Sequence, residues 1–257
     1  MPRVSVVIPC YNQGQYVYDA VQSVLRQNYD SLEIVIVDDG STDRATVEAL
    51  NAYNSPVIRV LRTVNQGLSC ARNNGIAIAR GQYILPLDAD DTIAGEYISR
   101  AVAVLDANPH VGIVYGEAVF TGAASGKWNL PPASLQRMLT RNVIFHAAFF
   151  RRSDWEKTGG YNPNMRYGLE DWDFWLSLLE QGGSIVQLDG IVYHYRIAVT
   201  SMTTRLRSKL SHSLYSYMRL MLNHKKLYTQ HPLDFFKLLA IVLRNCIYHI
   251  IDYKVAR

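Results

Sequence analysis

The sequence predicts an α/β fold in which a mostly parallel sheet is flanked by helices and followed by a helical C-terminal extension. Short β-branched runs alternate with amphipathic segments over the first 115 residues, and this alternation is typical of parallel sheets covered on both faces. A chain of 257 residues with 49% hydrophobic and 19% charged residues is long enough to bury such a core. Polar clusters directly follow three of the predicted strands, where α/β sheets bind ligands.

Four strands separated by helices are predicted in the first half of the chain. Each strand is a short apolar run, which is typical of a strand buried on both faces. A Ser or Thr at 41–42 is the expected N-cap of the second helix, and Gly81 is expected to stop the third. The predicted strands cover residues 4–8, 33–38, 57–61 and 83–87, and the helices cover 16–27, a segment after 43, and 68–80.

The second half is predicted to contain further helices and three more strands. A Gly-, Ser- and Ala-rich stretch at 121–126 is predicted to be an exposed loop. Two amphipathic helices, broken near Pro232, are predicted from Leu206 to the end. The other predicted helices cover residues 94–107, 131–141 and a segment from Glu170 to the glycines at 182–183, and the strands cover 111–115, 185–188 and 191–195.

We predict one domain at residues 1–204, with halves at 1–115 and 116–204, followed by a tail at 205–257. Residues 1–204 contain 16 Lys and Arg against 20 Asp and Glu, whereas the tail contains 10 against 2. The net charge of +4 therefore arises entirely from the tail, which indicates an anionic partner for that segment. Nothing else in the sequence indicates nucleic-acid binding.

The cysteines and the hydropathy pattern bear on the cellular compartment. Cys10, Cys70 and Cys246 are odd in number and lack C-x-x-C spacing, so neither a disulfide framework nor a thiolate zinc site is predicted. The first residues are too quickly polar for a signal peptide, and no run reaches the roughly 18 apolar residues of a membrane span. We therefore expect a protein of the reducing cytoplasm.

Asp88, Asp90 and Asp91 follow the fourth predicted strand, where their charges would repel one another unless a cation or several donors compensated. A bare D-x-D is weak evidence, because acids at strand ends often cap helices. Asp38 and Asp39 follow the second strand, however, so five carboxylates are expected at one edge of the sheet. Mg²⁺ or Mn²⁺ binds such carboxylates together with substrate phosphates. We therefore predict a site for a metal and a diphosphate.

Glu170 and Asp171 begin a predicted helix, and acids in a first turn often only complement the helix dipole. We accept that interpretation for Asp173. Asp171 is flanked by apolar side chains that include Trp172, and burial among them would raise its pKa. A carboxylate of this kind is suited to deprotonating a hydroxyl, so Asp171 is the candidate general base.

Two histidines and one tyrosine complete the candidates. His146 and His194 are each more often structural than metal-binding when they stand alone. His194 follows a predicted strand and precedes Arg196, so it is the better candidate for a metal or diphosphate contact. Tyr11 could stack on a nucleotide base, although an aromatic residue at a strand end is usually packing.

Five motifs in chain order resemble the family 2 glycosyltransferases, which have the GT-A fold, a Rossmann-like sheet. The resemblance covers about residues 3–201, and the order of the motifs makes it strong although each motif alone is weak. The motifs are residues 4–12, 36–43, 65–67 with 71–73, 81–83 with 87–91, and 170–171.

This resemblance implies an inverting enzyme that moves a hexosyl or N-acetylhexosaminyl unit from a nucleotide sugar, a UDP-sugar above all, in cell-surface glycan biosynthesis. It implies Mg²⁺ or Mn²⁺ as cofactor, and a glycan or a lipid-linked molecule as acceptor. The halves 1–115 and 116–204 would then bind nucleotide and acceptor. The implied roles are nucleotide binding for Pro9, Tyr11, Asp38, Asp39, Arg72 and Asp88, metal binding for Asp90 with His194, catalysis for Asp171 with Glu170, and support for Asp91 and Trp172.

Other functions stay open at this stage. Residues 88–92 also fit D-x-D-x-T, the motif of haloacid-dehalogenase phosphatases with Asp88 as nucleophile, although that family usually carries it on the first strand. A non-catalytic module that binds sugar nucleotides or glycans is a further alternative. No G-x-x-x-x-G-K-[ST] or G-x-G-x-x-G follows the first strand, which weighs against ATPases and dinucleotide oxidoreductases. Within the glycosyltransferase interpretation, the sequence lacks the Q-x-x-R-W motif of processive polysaccharide synthases, which favours transfer of single sugars. It also has Pro86-Leu87 where the family usually has an aromatic residue before the aspartates.

The tail has three possible roles. Its basic amphipathic helices could cover the catalytic domain, form a homodimer, or lie on an anionic membrane surface, where helices of this composition bind. A peripheral contact of 205–257 with the inner face of the cell membrane would bring the enzyme to a lipid-linked acceptor.

Overall fold

The structure is a computed structural model that describes residues 2–197 and 209–255, with side chains over 2–197 and 209–247. The start of the tail helix predicted from Leu206 lies outside the described residues. The strands are β1 (Val4–Cys10), β2 (Leu32–Asp39), β3 (Ile58–Thr63), β4 (Tyr83–Pro86), β5 (Thr92–Ile93), β6 (Val111–Gly122), β7 (Gly126–Trp128), β8 (Phe150–Arg151) and β9 (Ser184–Ile197). The helices are α1 (Gly14–Leu25), α2 (Arg44–Asn51), α3 (Leu68–Ile78), α4 (Tyr97–Ala107), α5 (Leu135–Met138), α6 (Arg152–Thr158), α7 (Glu170–Glu180), α8 (Leu210–Asn223), α9 (Lys225–Gln230) and α10 (Pro232–Val255).

The first sheet has the strand order β3-β2-β1-β4-β8. Strands β1 to β4 are parallel, and β8 pairs antiparallel to β4. Every residue of β1, β2 and β4 is buried, because helices cover both faces of this part of the sheet. The predicted parallel sheet is therefore confirmed, and its strand ends carry the predicted polar clusters to one edge.

Gly75 of α3 sets how closely this helix approaches the sheet. A Cβ atom at position 75 would lie 2.4 Å from Val7 Cγ1 and 2.8 Å from Val37 Cγ2. Both distances are shorter than real carbon contacts, so glycine is required for the helix to lie this low on β1 and β2. The close approach brings the side chain of Arg72, one turn earlier, to the edge of the sheet.

The second sheet has the strand order β5-β9-β6-β7 and was only partly predicted. The segments 185–188 and 191–195 were predicted as two strands, but they form the single strand β9, which runs parallel to β6. Register shifts between Tyr115 and Ala118 of β6 and a positive φ of 81° at Gly190 let β9 pass the irregular point and continue. The predicted exposed loop at 121–126 is the tip of the β6–β7 hairpin.

Several helix boundaries differ from the prediction for local reasons. Helix α4 begins at Tyr97, later than the predicted start at 94, because Thr92 and Ile93 pair with β9. Asp43 rather than a Ser or Thr caps α2, since its carboxylate accepts a hydrogen bond from Thr46 N at 2.7 Å. Helix α6 was not predicted, because its seven residues are too few for a clear helical period.

The C-terminal helices pack on the α/β domain through α7. Buried His224 lies 3.2 Å from an oxygen of Asp173 and 3.2 Å from an oxygen of Glu180, and Asn223 donates to Asp173 at 2.7 Å. The Tyr228 hydroxyl donates to the carbonyl of Leu139 at 3.0 Å. The predicted break near Pro232 is confirmed, and a further break occurs at His224. Among the described helices, none is both long and apolar enough to cross a membrane.

Candidate active site

Asp38 and Asp39 lie at the carboxyl end of β2, beside the end of β1. The Asp39 carboxylate accepts hydrogen bonds from the backbone N–H groups of Gln66 and Gly67 at 3.0 and 2.8 Å. Asp38 accepts from Ser41 N at 2.9 Å. Both carboxylates therefore shape the loops around the predicted nucleotide site, and their contact with a nucleotide stays a prediction.

The loop after β1 is fixed to the loop after β2. Asn12, at a positive φ of 54°, accepts a hydrogen bond from Thr42 N at 2.8 Å and donates its own N–H to Ser41 Oγ at 3.0 Å. Tyr11 is exposed at this edge, whereas Pro9 is buried within β1. The position of Tyr11 fits stacking on a base, which the structure does not test.

Arg72 joins the two predicted halves of the site. Its side chain is only 1% exposed, and its Nη2 and Nη1 atoms lie 2.8 Å from Asp88 Oδ1 and 2.8 Å from Glu170 Oε1. The guanidinium also lies over the ring of Tyr161, 5.4 Å from its centroid. Sequence reasoning gave Arg72 a nucleotide contact, but here both ends of its guanidinium hold carboxylates. One buried cation therefore fixes the loop after β4 relative to the start of α7.

Asp88, Asp91 and His146 form a compact cluster beside Arg72. His146 Nε2 lies 3.3 Å from Asp88 Oδ2 and 3.4 Å from Asp91 Oδ2. Asp91 also accepts hydrogen bonds from the Tyr193 hydroxyl and, at 2.7 Å, from Arg196 N. Burial lowers the pKa of His146, but Asp88 and Asp91 raise it to about 9. The protonated His146 thus compensates these carboxylates, and a metal ion that bound to its Nε2 would have to replace this proton.

Asp90 is partly exposed, as Asp88 is, whereas Asp91 is buried. Across residues 2–197 and 209–247, no other residue donates a hydrogen bond to its carboxylate, while its carbonyl accepts from Arg196 Nε at 2.9 Å. Burial raises its pKa to about 7, with further contributions from Asp91 and Asp88. A carboxyl group crowded by like charges and open to solvent suits a bound cation, as predicted for Asp90.

The geometry favours His146 over His194 as the imidazole of the site. Tyr193 and His194 are adjacent in β9, and successive strand residues face opposite sides of a sheet. Tyr193 faces His146 and Asp91, so His194 faces away, where its Nδ1 lies 3.4 Å from Thr92 Oγ1. The predicted metal contact of His194 is therefore not supported by its position. Sequence reasoning set His146 aside because it stands alone in an apolar segment.

Asp171 lies at the start of α7, directly after Glu170. Its Oδ2 accepts a hydrogen bond from Asn142 Nδ2 at 3.1 Å, a partner that sequence reasoning did not identify. Burial and the neighbouring Glu170 raise its pKa to about 6. Trp172 is buried, and its indole donates to the carbonyl of Met138 at 2.6 Å, so its role is to position the helix. Asp171 can therefore act as a base near neutral pH.

The residues present fit a divalent cation. Ligand atoms of Asp88, Asp91 and His146 all lie within 4.8 Å of one another, and Asp90 lies next to them in the chain. Carboxylate oxygens are the ligands that Mg²⁺ prefers, and Mn²⁺ also accepts imidazole. The group is thus a candidate metal centre at the end of β4.

Comparisons with known proteins agree with this geometry. Residues 5–165 match the family model described as glycosyl transferase family 2. The chondroitin synthase of Pasteurella multocida (strain Pm70) is 30% identical over 193 residues, which are 71% of this chain and 19% of the synthase. The chain thus spans about a fifth of the length of this relative.

Solved structures share the fold. S. aureus TarS 1-349 in complex with UDP-GlcNAc has a TM-score of 0.67 and 19% identity, covering 89% of this chain and 73% of TarS 1-349. The mannosyltransferase PcManGT from Pyrobaculum calidifontis, in complex with GDP-Man and Mn²⁺, has a TM-score of 0.66 and 19% identity, covering 100% and 76%. These similarities establish the predicted GT-A-type fold. By the match of its sequence, the chain belongs to glycosyl transferase family 2.

Proposed function

We propose that the protein transfers one sugar from a UDP-sugar to an acceptor hydroxyl, with inversion at the anomeric carbon. The observation that carries this proposal is the arrangement around Arg72. A single buried guanidinium holds Asp88, on the donor side, and Glu170, next to the candidate base Asp171. Donor carboxylates and a base with a raised pKa are thereby fixed in one site, as a single displacement requires.

The chemistry follows from the roles of these side chains. Asp171 would accept the proton of the acceptor hydroxyl while the hydroxyl oxygen attacks the anomeric carbon. The bond from this carbon to the diphosphate oxygen would break through an oxocarbenium-like transition state, and the nucleoside diphosphate would leave. Asp90, with Asp88, Asp91 and His146 beside it, would hold Mg²⁺ or Mn²⁺, which when bound stabilises negative charge on the leaving diphosphate.

The comparisons support the donor class. The similar TarS structure contains UDP-GlcNAc, and the similar PcManGT structure contains GDP-Man and Mn²⁺. Nucleotide sugars therefore bind to proteins of this fold. Family membership disfavours the phosphatase alternative. The ion pair with Arg72 also occupies an oxygen of Asp88, which disfavours Asp88 as a nucleophile. A non-catalytic binding module stays as the alternative that turnover must exclude.

The test is release of UDP from a panel of UDP-sugars, with Mn²⁺ present. Loss of a general base costs about 10²–10⁴-fold in rate, so Asp171→Asn should lower UDP release by that factor while UDP still binds in calorimetry. The matched control is Asp154→Asn, an aspartate on α6 outside the site, which should release UDP like the wild type. Undiminished release by Asp171→Asn would refute the assignment of the base. Binding of UDP without turnover of any donor would favour the non-catalytic module.

The metal assignment has its own test. Calorimetry of UDP should show binding that weakens at least about tenfold on chelation of divalent cations, because the diphosphate charge then lies near Asp90, to whose carboxylate no other described residue donates a hydrogen bond. Asp90→Ala should show the same weak binding with Mn²⁺ present. Tight UDP binding that neither chelation nor Asp90→Ala weakens would refute the metal assignment without contradicting the transferase proposal.

A further inference from the structure

A cavity of about 460 Å³ opens on the second sheet, between the β6–β7 hairpin and the segment before α5. A volume of this order is typical of small-molecule sites. Polar and aromatic side chains share its wall, a mixture suited to a ligand with hydroxyl groups and an apolar face. The lining includes Glu117, Lys127, Trp128, Asn129, Arg141 and Gln187.

This cavity is continuous with the active site along the chain. Arg141 lines the cavity, and its neighbour Asn142 donates the hydrogen bond to Asp171 at 3.1 Å. Trp128 lies across the cavity wall with its ring centroid 6.5 Å from that of Phe145, which precedes His146. The cavity therefore lies one residue along the chain from the partner of the base, and its walls belong to the second sheet rather than to the nucleotide loops of the first.

Trp128 is held as a platform by other aromatic rings. Its ring centroid lies 5.2 Å from those of Phe120 and Tyr195, and all three side chains are partly exposed. Cross-strand register explains the grouping, since Ala118 pairs with Trp128 and Phe120 pairs with Tyr195. A rigid aromatic surface of this kind loses little entropy when a flat apolar group stacks on it.

We propose that this cavity, with Trp128 as its platform, binds a pyranose ring of the acceptor. The C–H face of a pyranose is apolar and matches the indole, while its hydroxyl groups match the Arg141 and Gln187 side chains. The proposal rests on the transferase function given above, and it deepens that function by assigning a saccharide as acceptor class.

The test uses methyl pyranosides as probes and saturation-transfer difference NMR as the readout. At least one among the methyl glycosides of glucose, galactose, mannose, N-acetylglucosamine, N-acetylgalactosamine and glucuronic acid should receive saturation at its ring protons. Trp128→Ala should reduce this saturation at least fivefold, Trp128→Phe should retain it, and the matched control Tyr18→Ala, an exposed tyrosine on α1, should leave it unchanged.

Calorimetry of UDP on the same samples separates this proposal from the function on which it rests. UDP binding should be the same in the wild type and in all three variants, which also shows that each variant is folded. Saturation of no pyranoside by the wild type, or saturation that Trp128→Ala leaves intact, would overturn the saccharide subsite. Either result leaves the UDP-release test unaffected, so the two proposals fail separately.

A second inference rests on a different observation, the apolar surface of the C-terminal helices. Among residues 2–197 and 209–247, eleven large hydrophobic side chains are exposed, and seven of them lie on α8 and α10, so their distribution is not that of scattered surface residues. The seven are Leu214, Met218 and Leu222 on α8, and Leu233, Phe236, Leu243 and Ile247 on α10. We call these seven residues the outer stripes.

Each outer stripe lies opposite the face with which its helix packs. On α10 the stripe covers roughly 80° of the helix circumference at 3.6 residues per turn. The buried residues Leu238 and Val242 lie on the other side of this helix. On α8 the buried residues Ser216 and Leu220 are likewise opposite its stripe. Both helices therefore carry a second apolar face that the described part of the domain leaves exposed.

The charge of this segment is strongly basic. Residues 209–247 contain six Lys and Arg and one acid, Asp234, which pairs with Lys237 at 2.8 Å. Lys237 and Arg244 flank the stripe of α10 along one side at helical spacing. Residues 205–257 as a whole contain ten basic residues and two acidic residues. An apolar stripe bordered by cations is the pattern of helices that lie in the interface of an anionic bilayer.

We infer that the outer stripes dock on an anionic lipid surface. The basic excess favours lipid over a second copy of this chain, because two tails of the same sign would repel each other across a dimer interface. The buried faces of α8 and α10 hold the helices on the domain, so docking requires no unfolding of the tail. A surface-bound enzyme would present its acceptor cavity close to membrane-attached saccharides.

The test is sedimentation with vesicles. The wild type should bind vesicles of phosphatidylglycerol and phosphatidylcholine at least tenfold more tightly than vesicles of phosphatidylcholine alone, and high salt should weaken this binding. The double variant Phe236→Ser, Leu243→Ser should lose binding at least tenfold. Ile191→Ser removes an exposed apolar side chain from β9 and should bind like the wild type.

Light scattering after size-exclusion chromatography tests the alternative that a second copy of this chain covers the outer stripes. A monomer that binds anionic vesicles supports the proposal. A dimer that Phe236→Ser, Leu243→Ser dissociates, together with no binding to anionic vesicles, would overturn it in favour of self-association. Vesicle binding that survives the double variant would also overturn it, since the stripes would then not be the contact.

Discussion

Replacement of Arg72 by methionine is the sharpest test of how the site is held together. The substitution keeps the approximate length of the side chain but removes the only cation that bridges Asp88 and Glu170 in the described structure. Removal of one partner from a buried ion pair costs about 3–5 kcal/mol, because the other charge stays buried without compensation. The side chain of Glu170 is only 8% exposed, so solvent can screen little of this penalty.

The expected loss is measurable in two ways. At about 2–4 °C per kcal/mol for a chain of this size, a loss of about 3–5 kcal/mol lowers the melting temperature by roughly 6–20 °C. Calorimetry measures the melting temperature, and urea titration with an unchanged slope measures the free energy of unfolding. The melting temperature of Arg72→Lys should lie between those of the wild type and Arg72→Met, since an ammonium group cannot contact both carboxylates in the same geometry.

The pH dependence has a definite sign. Burial raises the pKa of Asp88, but His146 and Arg72 lower it more, so the pKa lies below its usual value in the folded protein. A carboxyl group with a lowered pKa stabilises the fold above its unfolded pKa, and this stabilisation is lost as the pH falls through the folded pKa. The penalty of Arg72→Met should therefore be fully present near neutrality and should shrink only as the pH falls below about 4.

The matched control is Arg44→Met, which removes an arginine that is 91% exposed and paired with Glu48 on α2. A surface ion pair contributes only about 0–1 kcal/mol, so this variant should melt close to the wild type. A loss below about 1 kcal/mol for Arg72→Met, the range of a surface pair, would refute the argument that Arg72 bridges the halves of the site.

Three further predictions follow from buried groups. Because burial and Glu170 raise the pKa of Asp171 to about 6, UDP release should decline below this pH and stay level above it; a flat profile would contradict the base assignment. Burial lowers the pKa of His224, but its two carboxylate neighbours raise it to about 9. His224 thus stabilises the fold fully below its unfolded pKa near 6.5, and the melting-temperature advantage over His224→Gln should fade as the pH rises through 9. Gly75→Ala should lower the free energy of unfolding, measured by urea titration, by about 1–3 kcal/mol, because the new methyl group overlaps Val7. An unchanged free energy of unfolding would mean that α3 can move away from the sheet.

The first sheet could be predicted from local pattern, whereas the second could not. Strands β1, β2 and β4 are mostly apolar runs followed by polar residues, so they were predicted to within two residues of their observed bounds. The two residues of β5 carry no period at all. The pairing of β6 with β9 joins residues more than 70 positions apart, and nothing in the local sequence of either strand encodes the partner or the register.

The residues of the site likewise divide into those that local sequence predicts and those that only the tertiary fold brings into place. The carboxylates could be predicted because each follows a strand end, and strand ends meet at one edge of the sheet. His146 and Asn142 lie in a segment without a recognisable period, and they reach Asp88 and Asp171 only through the tertiary fold. Sequence alone therefore identified the carboxylates and Arg72 as site residues, but it did not identify His146 and Asn142 as the partners of Asp88 and Asp171.

Strand β3 has a consequence for the behaviour of the protein at high concentration. It is the outermost strand of the first sheet on one side, and an edge strand can pair with another chain and seed aggregates. Two of its six residues are Arg59 and Arg62, and Arg62 is 53% exposed although it lies near Asp38. Two copies that met edge to edge would bring these positively charged strands together, which disfavours the pairing of one β3 with another.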